Sequence, residues 1–358
     1  MAYARTALLA VAFFSAALWK DASLSSADAE QLQLKPMTID GAFAGKKKKQ
    51  AAVDLSGLSC LPGGAAGLRT CMAVNDENQS AQRLSLDADR LVVGAVVPIL
   101  GAKPDPETLG AEPSVACGAG PGEFGELDGE AVSYSAPYFY IVGSHGCSRK
   151  ADEFRLSSFV FARVKVDGSG APTASVQTTY RVADALRSGG VANFGKSLEG
   201  AAGLNIEGML VKDDRVWLGL RAPLDAKGSA ILLELSAQEL FREGHEAGAK
   251  IVKPSAVATQ GRGIRDLAAL PDGRIVVLGG AVNGPEVPFR LFLFNPDSEA
   301  TTEIGELPPV KGVVKGKEKI GKAEAISVLW ADEKEALAVV LFDGLENGAP
   351  HSVRFGLK

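Results

Sequence analysis

Leu204-Asn-Ile-Glu-Gly-Met-Leu-Val-Lys-Asp-Asp-Arg-Val-Trp-Leu-Gly-Leu-Arg-Ala-Pro223 decides the fold. Asn205-Ile206-Glu207-Gly208 opens an apolar strand, Asp213-Asp214 supplies turn residues, and Val216 to Leu220 is a second apolar strand ending on Arg221. Outward from it the opening recurs, because Asp54-Leu-Ser-Gly57, Asp128-Gly-Glu-Ala131, Ile264-Arg-Asp-Leu267 and Lys322-Ala-Glu-Ala325 align with Asn205-Ile-Glu-Gly208. The third position reads Ser56, Glu130, Glu207, Asp266, Glu324, polar throughout and acidic in four copies.

Each opening is followed by a second apolar strand: Thr70 to Val74, Tyr138 to Gly143, Val216 to Leu220, Arg274 to Gly279 and Glu335 to Phe342. Third strands are read at Phe159 to Val166, Ala230 to Leu235, Arg290 to Phe294 and Ser352 to Phe355, and fainter fourth strands near Leu91 to Pro98, Ser175 to Arg181 and Ala249 to Lys253. Four short antiparallel strands per repeat is the layout of a propeller blade. The sequence therefore predicts an all-β fold, a single β-propeller over residues 30–358 with five blades, or six if residues 86–125 hide a degenerate one.

The third-position spacings of 74, 77, 59 and 58 residues exceed a compact blade, so loops carry the excess. Short helices are expected at Ala183 to Arg187 and after Ser236, where Ser236 and Glu239 form a capping box. The last copy has three strands, and Gln31 to Phe43 is the segment expected to supply the fourth and cover the open edge.

The chain of 358 residues is 46% hydrophobic with a formal charge of -5, a mildly acidic folded body. Its basic runs, Lys46 to Lys49 and the lysines from Lys311 to Lys322, lack interleaved aromatics and read as solvated loops able to attract an anion, so no nucleic-acid partner is expected. Arg5, the apolar run Ala7 to Trp19 and Ala27-Asp28-Ala29 form an export signal over residues 1–29. That run is too short to span a bilayer, so the mature chain is expected in the periplasm or secreted, with no integral membrane segment. The sequence sets no oligomeric state. Four cysteines in an exported chain suggest disulfides, with three pairings open. Cys60 and Cys71 would face each other across a hairpin, leaving Cys117 with Cys147.

Gly190-Val-Ala-Asn-Phe-Gly195-Lys196-Ser197 matches the phosphate-loop pattern, yet no strand feeds it, so no nucleotide is expected. No nucleophile elbow, zinc-helix motif or EF-hand loop occurs. Trp217 and Trp330 read as packing residues in apolar strands.

In a propeller the first strands surround the channel, so Glu130, Glu207, Asp266 and Glu324 should converge with Ser56, while Asp76, Glu77, His145, Arg221 and Asp343 follow second strands and form the rim. Asp54, Arg265 and Lys322 belong to the same set. Clustered carboxylates need either a hard cation such as calcium, with Glu130, Glu207, Asp266 and Glu324 as its ligands, or neutralisation by Arg221, Arg265 and Lys322. A third possibility is that the acids close the channel by accepting backbone hydrogen bonds. His145, in Gly143-Ser-His-Gly146, is the candidate base. Three roles follow: binding of a small or anionic ligand at the channel mouth, calcium-dependent hydrolysis of phosphate esters or lactones, and a passive scaffold if Arg221 and Arg265 fill the channel.

The stretches Asp54-Leu-Ser-Gly57 with Val74-Asn-Asp-Glu77, Leu127-Asp-Gly-Glu-Ala131 with Gly143-Ser-His145, Asn205-Ile-Glu-Gly208 with Gly219-Leu-Arg-Ala-Pro223, and Gly263-Ile-Arg-Asp-Leu267 resemble a bacterial family of exported proteins classed as a domain of unknown function. The resemblance covers the mature chain and implies a propeller with no established reaction. The openings are more distantly similar to the esterase-like phytase and calcium-dependent lactonase propellers. That likeness implies calcium held by Glu130, Glu207, Asp266 and Glu324.

Overall fold

Each repeat opening becomes the inner strand of a sheet built on four antiparallel strands, with a fifth, parallel strand added in blade one, and the five sheets follow one another along the chain. The computed structural model describes residues 29–357 apart from 48–49, 64–66, 88, 102–104, 106, 121, 123, 150–151, 199–202, 245–247 and 284–285. The expected export signal thus lies, except for Ala29, outside the described residues.

Blade one comprises Leu55–Cys60, Arg69–Asn75, Ser80–Asp87 and Arg90–Pro98, and blade two Gly129–Ser135, Tyr138–Gly143, Phe161–Lys165 and Gln177–Thr179. Blade three is Asn205–Lys212, Arg215–Ala222, Ala230–Ser236 and Lys253–Val257, and blade four Gly263–Ala269, Ile275–Gly280, Arg290–Phe294 and Thr301–Glu306. Blade five takes Lys322–Ala331, Glu335–Asp343 and His351–Gly356 from the end of the chain and Leu34–Pro36 from its beginning. The next residues, Thr38–Asp40, pair in parallel with Arg90–Val92, so one N-terminal segment ties blade five to blade one. Neighbouring inner strands touch in sequence, and Lys322–Ala331 returns against Leu55–Cys60 to close the ring.

The core is a set of five apolar layers, each between adjacent blades. Alternation puts one face of every strand into such a layer, as with Ile206 and Leu218 of blade three against Val142 and Phe161 of blade two. The fit is close enough to demand small residues after the bulges. A Cβ on Gly57 would lie 2.8 Å from the Ala131 Cα of the next blade, and one on Gly208 would lie 2.7 Å from Ile264 Cγ2.

The inner ladders skip one residue near their start: Leu55 pairs with Asn75 and Gly57 with Val74, and the same jump recurs at Gly129/Ala131, Ile206/Gly208, Ile264/Asp266 and Ala323/Ala325. The skipped residues are Ser56, Glu130, Glu207, Arg265 and Glu324, and a bulge aims such a residue out of the sheet. The expected third column is therefore one residue out in blade four, where Arg265 stands in the ring and Asp266 takes the small-residue position after it.

Below the bulges, inner strands present unpaired N–H groups to their neighbours, and side chains satisfy them. Ser59 Oγ accepts from Tyr134 N at 3.0 Å, Ser133 Oγ from Val211 N at 2.8 Å, and Asp266 Oδ2 from Ile326 N at 2.8 Å. The far end of the channel, a cavity of about 440 Å³, is lined by Leu58, Val132, Leu210, Leu267, Ile326 and neighbours from all five blades.

Both disulfides form across the expected pairs, Cys60–Cys71 and Cys117–Cys147. Helices occupy Arg181–Ser188 and Ala237–Leu240, the latter capped by Ser236, whose side chain accepts from Glu239 N at 3.2 Å. Ser80–Asp87 and Arg90–Pro98 complete blade one, and among the described residues from 99 to 125 there is no strand, so the propeller has five blades and not six. The lysine run is not a plain loop: Lys311–Val314 and Lys317–Ile320 pair as a hairpin turning at Lys315 and Gly316, both at positive φ. Trp217 is packed as expected, but Trp330 is 42% exposed, under the Arg354 guanidinium 5.5 Å from its ring.

Candidate functional site

Because the bulges lie near the starts of the inner strands, their side chains gather at one mouth of the channel. Glu207 organises it. Its Oε1 accepts from Arg221 Nη1 at 2.6 Å and from Asn205 Nδ2 at 2.7 Å, while Oε2 lies 2.9 Å from Arg265 Nε, an ion pair whose angle is unsuited to a hydrogen bond. Arg265 also pairs with Glu324, so one buried guanidinium bridges two blades' glutamates across the axis. Burial alone would raise the Glu207 carboxyl, but the Arg265 and Arg221 guanidiniums hold it below its ordinary value.

Above this plug lies a cavity of about 280 Å³ whose walls include Asp54, Asp76, Glu130, Glu207, Arg221, Lys322, Glu324 and Asp343. Eight of the residues expected to converge do so. Glu77 stands beside them, close enough to Asp54 to raise its carboxyl and 3.7 Å from Lys46 Nζ, and Ser56 is buried in the ring wall. Lys322 Nζ lies 3.6 Å from Asp343 Oδ2. A second cavity of about 280 Å³ opens beside the first and is lined by Arg149, Arg221, Arg265, Asn283, Phe289 and Lys322 among others.

The mouth is thus divided. On the side of blades one and two, burial pushes the Asp76 carboxyl up to about 9 and Asp54 up to about 7, each reinforced by neighbouring carboxylates. Glu130 keeps access to the cavity, yet burial and then Glu207 and Asp128 raise it well above its ordinary value. Asp76 therefore holds its proton near neutrality and can donate a hydrogen bond, while Asp54 is about half protonated there. The other side is lined by the basic side chains Arg149, Arg221 and Lys322.

Two expected members lie elsewhere. Asp266 is completely buried between blades, where its carboxylate accepts from Leu267 N and Ile326 N, both at 2.8 Å, and from the backbone of Met209. That is the channel-closing role foreseen for such acids. His145 is completely buried behind the rim, its Nδ1 2.8 Å from Gly143 O, and burial lowers it to about 4, so it is neutral and does not line either cavity. Asp128, Arg149, Arg155 and Asn205 were not singled out but line the acidic cavity. Asp128 was readable, since it occupies the first position of its repeat. Arg149 and Arg155 sit in an irregular loop without periodicity.

Of the four acids expected to hold calcium, Glu207 and Glu324 are paired with Arg265 and Asp266 is turned to the backbone of blade five, and no group of three or more His, Cys, Asp or Glu among the described residues is placed to hold a metal. Gly190 to Ser197 follows the helix Arg181–Ser188 rather than a strand, so the phosphate-loop geometry is missing. No helix among the described residues is long and apolar enough to cross a membrane.

A family model described as "Protein of unknown function (DUF3616)" matches residues 192–352, which hold blade three, blade four and most of blade five. Comparison with curated proteins gives no match. Similar solved structures include an α-L-arabinofuranosidase from Podospora anserina, at 10% identity and TM-score 0.45, over 91% of this chain and 96% of that one. An exo-β-1,3-galactanase from Phanerochaete chrysosporium has 9% identity and TM-score 0.43 over 91% of this chain. This chain spans 64% of the galactanase's length. A putative 6-phosphogluconolactonase from Bacteroides uniformis has 11% identity and TM-score 0.32, over 80% of this chain and 82% of that one.

Proposed function

We propose that the divided mouth binds a small anionic ligand in an oxidising compartment outside the cytoplasm, with the anion against Arg149, Arg221 and Lys322. The observation that carries this reading is the commitment of both Glu207 oxygens to guanidiniums, which fixes Arg221 on the wall shared by the two cavities and Arg265 on the wall of the second. Fixed guanidiniums lose little freedom on meeting a carboxylate or phosphate. Asp76 opposite, protonated near neutrality, adds a donor rather than repulsion. Calorimetric titration with inorganic phosphate and butyrate tests it. Arg149→Met with Lys322→Met is expected to weaken binding about tenfold, the worth of one charge-assisted hydrogen bond. Undiminished binding in that variant would remove the reading.

A second reading, a scaffold whose channel is only plugged, is favoured by the same self-neutralised chain Glu207–Arg265–Glu324. It predicts no saturable binding of either anion.

A further inference from the structure

The cationic cavity is not closed on its outer side. Phe289 and Lys322 line both it and an adjoining groove of about 340 Å³ between blades four and five. The groove is mostly apolar, walled by Leu307, Pro308, Ile320 and Phe342, with Val287 at its lip. Phe289 is seated against the cationic wall because Gly280 has no side chain: a Cβ there would lie 2.5 Å from the Phe289 ring and 3.0 Å from Arg265 Cγ. Ile320 is 61% exposed and Val287 36% exposed, so apolar surface remains open to water beside a charged cavity.

Two carboxylates reach the groove. Glu306 is neutralised by Arg290, 3.1 Å away, while Glu286 lies at the junction and faces Arg221 across it. Arg149, Arg221 and Lys322 stand with Glu286 at the head end, Arg221 paired with Glu207 and Lys322 3.6 Å from Asp343, and among the described residues Glu306 is the one further charged group that lines the groove.

Resting on the anion-binding reading above, we infer that the ligand is a single-chain amphiphilic carboxylate, its head among Arg149, Arg221 and Lys322 and its hydrocarbon tail along Phe289, Leu307 and Ile320. Charge complementarity fixes the direction, since only one end of the continuous surface is cationic. The tail supplies affinity through burial, and the head supplies orientation.

The test is calorimetric titration of the full chain with butyrate, octanoate and 1-octanol below their aggregation limits. Octanoate should bind far tighter than butyrate, up to about fourfold for each methylene that the groove covers. 1-Octanol should bind at least roughly tenfold more weakly than octanoate, for want of the charge-assisted contacts. Ile320→Ser with Val287→Ser, both at exposed positions, should narrow the octanoate-to-butyrate ratio roughly tenfold, the worth of about two methylenes. Equal affinities for butyrate and octanoate would overturn the tail assignment and leave the anion site standing. An octanoate preference unchanged by the double substitution would place the tail elsewhere and overturn it too. Binding of 1-octanol as tight as octanoate, or no binding by either carboxylate, would overturn both this inference and the anion reading it rests on.

Discussion

The two mouths of the channel are made by the same five inner strands, yet one is ionic and the other apolar. At the first, bulges turn Glu130, Glu207, Arg265 and Glu324 toward the axis. At the second, beyond those bulges, Leu58, Val132, Leu210, Leu267 and Ile326 converge, with Arg69, Lys212 and Asp213 at the edge. One extra residue per strand, rather than a different fold, is enough to turn a mostly apolar channel end into a polar site. Between the two ends, Ser59, Ser133 and Asp266 satisfy the backbone of the neighbouring blade and hold the ring together.

The comparison can be broken most forcefully at the ionic end. Arg265→Met leaves Glu207 and Glu324 without their shared guanidinium in a buried setting, and should cost about 3–5 kcal/mol in chemical denaturation. At the apolar end, Leu210→Ala opens a cavity in a side chain only 6% exposed and should cost about 3 kcal/mol. Between them, Asp266→Ala removes acceptors from Ile326 N and Leu267 N and should cost about 2 kcal/mol. If Arg265→Met proves milder than Leu210→Ala, the ionic end is solvated and the contrast between the mouths is weaker than drawn.

A smaller effect sharpens the contrast through pH. Asp76 is raised from 3.8 to about 9 and Asp54 to about 7, so the folded chain keeps protons that the unfolded chain releases. Their contribution to stability is fully present below about pH 4 and is lost as pH rises through 7 and then 9. Asp76→Asn removes that loss, and its Tm should exceed the wild type's by roughly 2–4 °C at pH 8 and converge with it near pH 4. A constant difference across that range would show that Asp76 ionises normally.

Much of this was legible before any coordinates. The repeat of a polar residue three positions into each opening marked the ring because every blade needs the same bulge there, and the capping box at Ser236 and the missing fourth strand of blade five were equally local signals. The slip in blade four had a physical cause. Ile264-Arg-Asp-Leu267 keeps an acid in the third column, but the ladder bulges at Arg265, and repeat spacing cannot distinguish the two because blades three and five flank it almost evenly. The hairpin at Lys311–Ile320 was hidden by its charge, although Lys315-Gly316 carries the positive φ values of a two-residue turn. His145 looked reactive from its glycine-flanked loop, and only burial shows that it is neutral and enclosed. The division of the mouth into acidic and cationic halves depends on Arg149, from a loop whose position no periodicity reveals.

The claim on which the rest depends is that Arg265 closes the axis by pairing with the glutamates of neighbouring blades. A double-mutant cycle on stability between Arg265→Met and Glu324→Gln measures that pairing directly. A coupling of about 2 kcal/mol is expected for buried groups in contact, and additive costs within about 0.3 kcal/mol would contradict it.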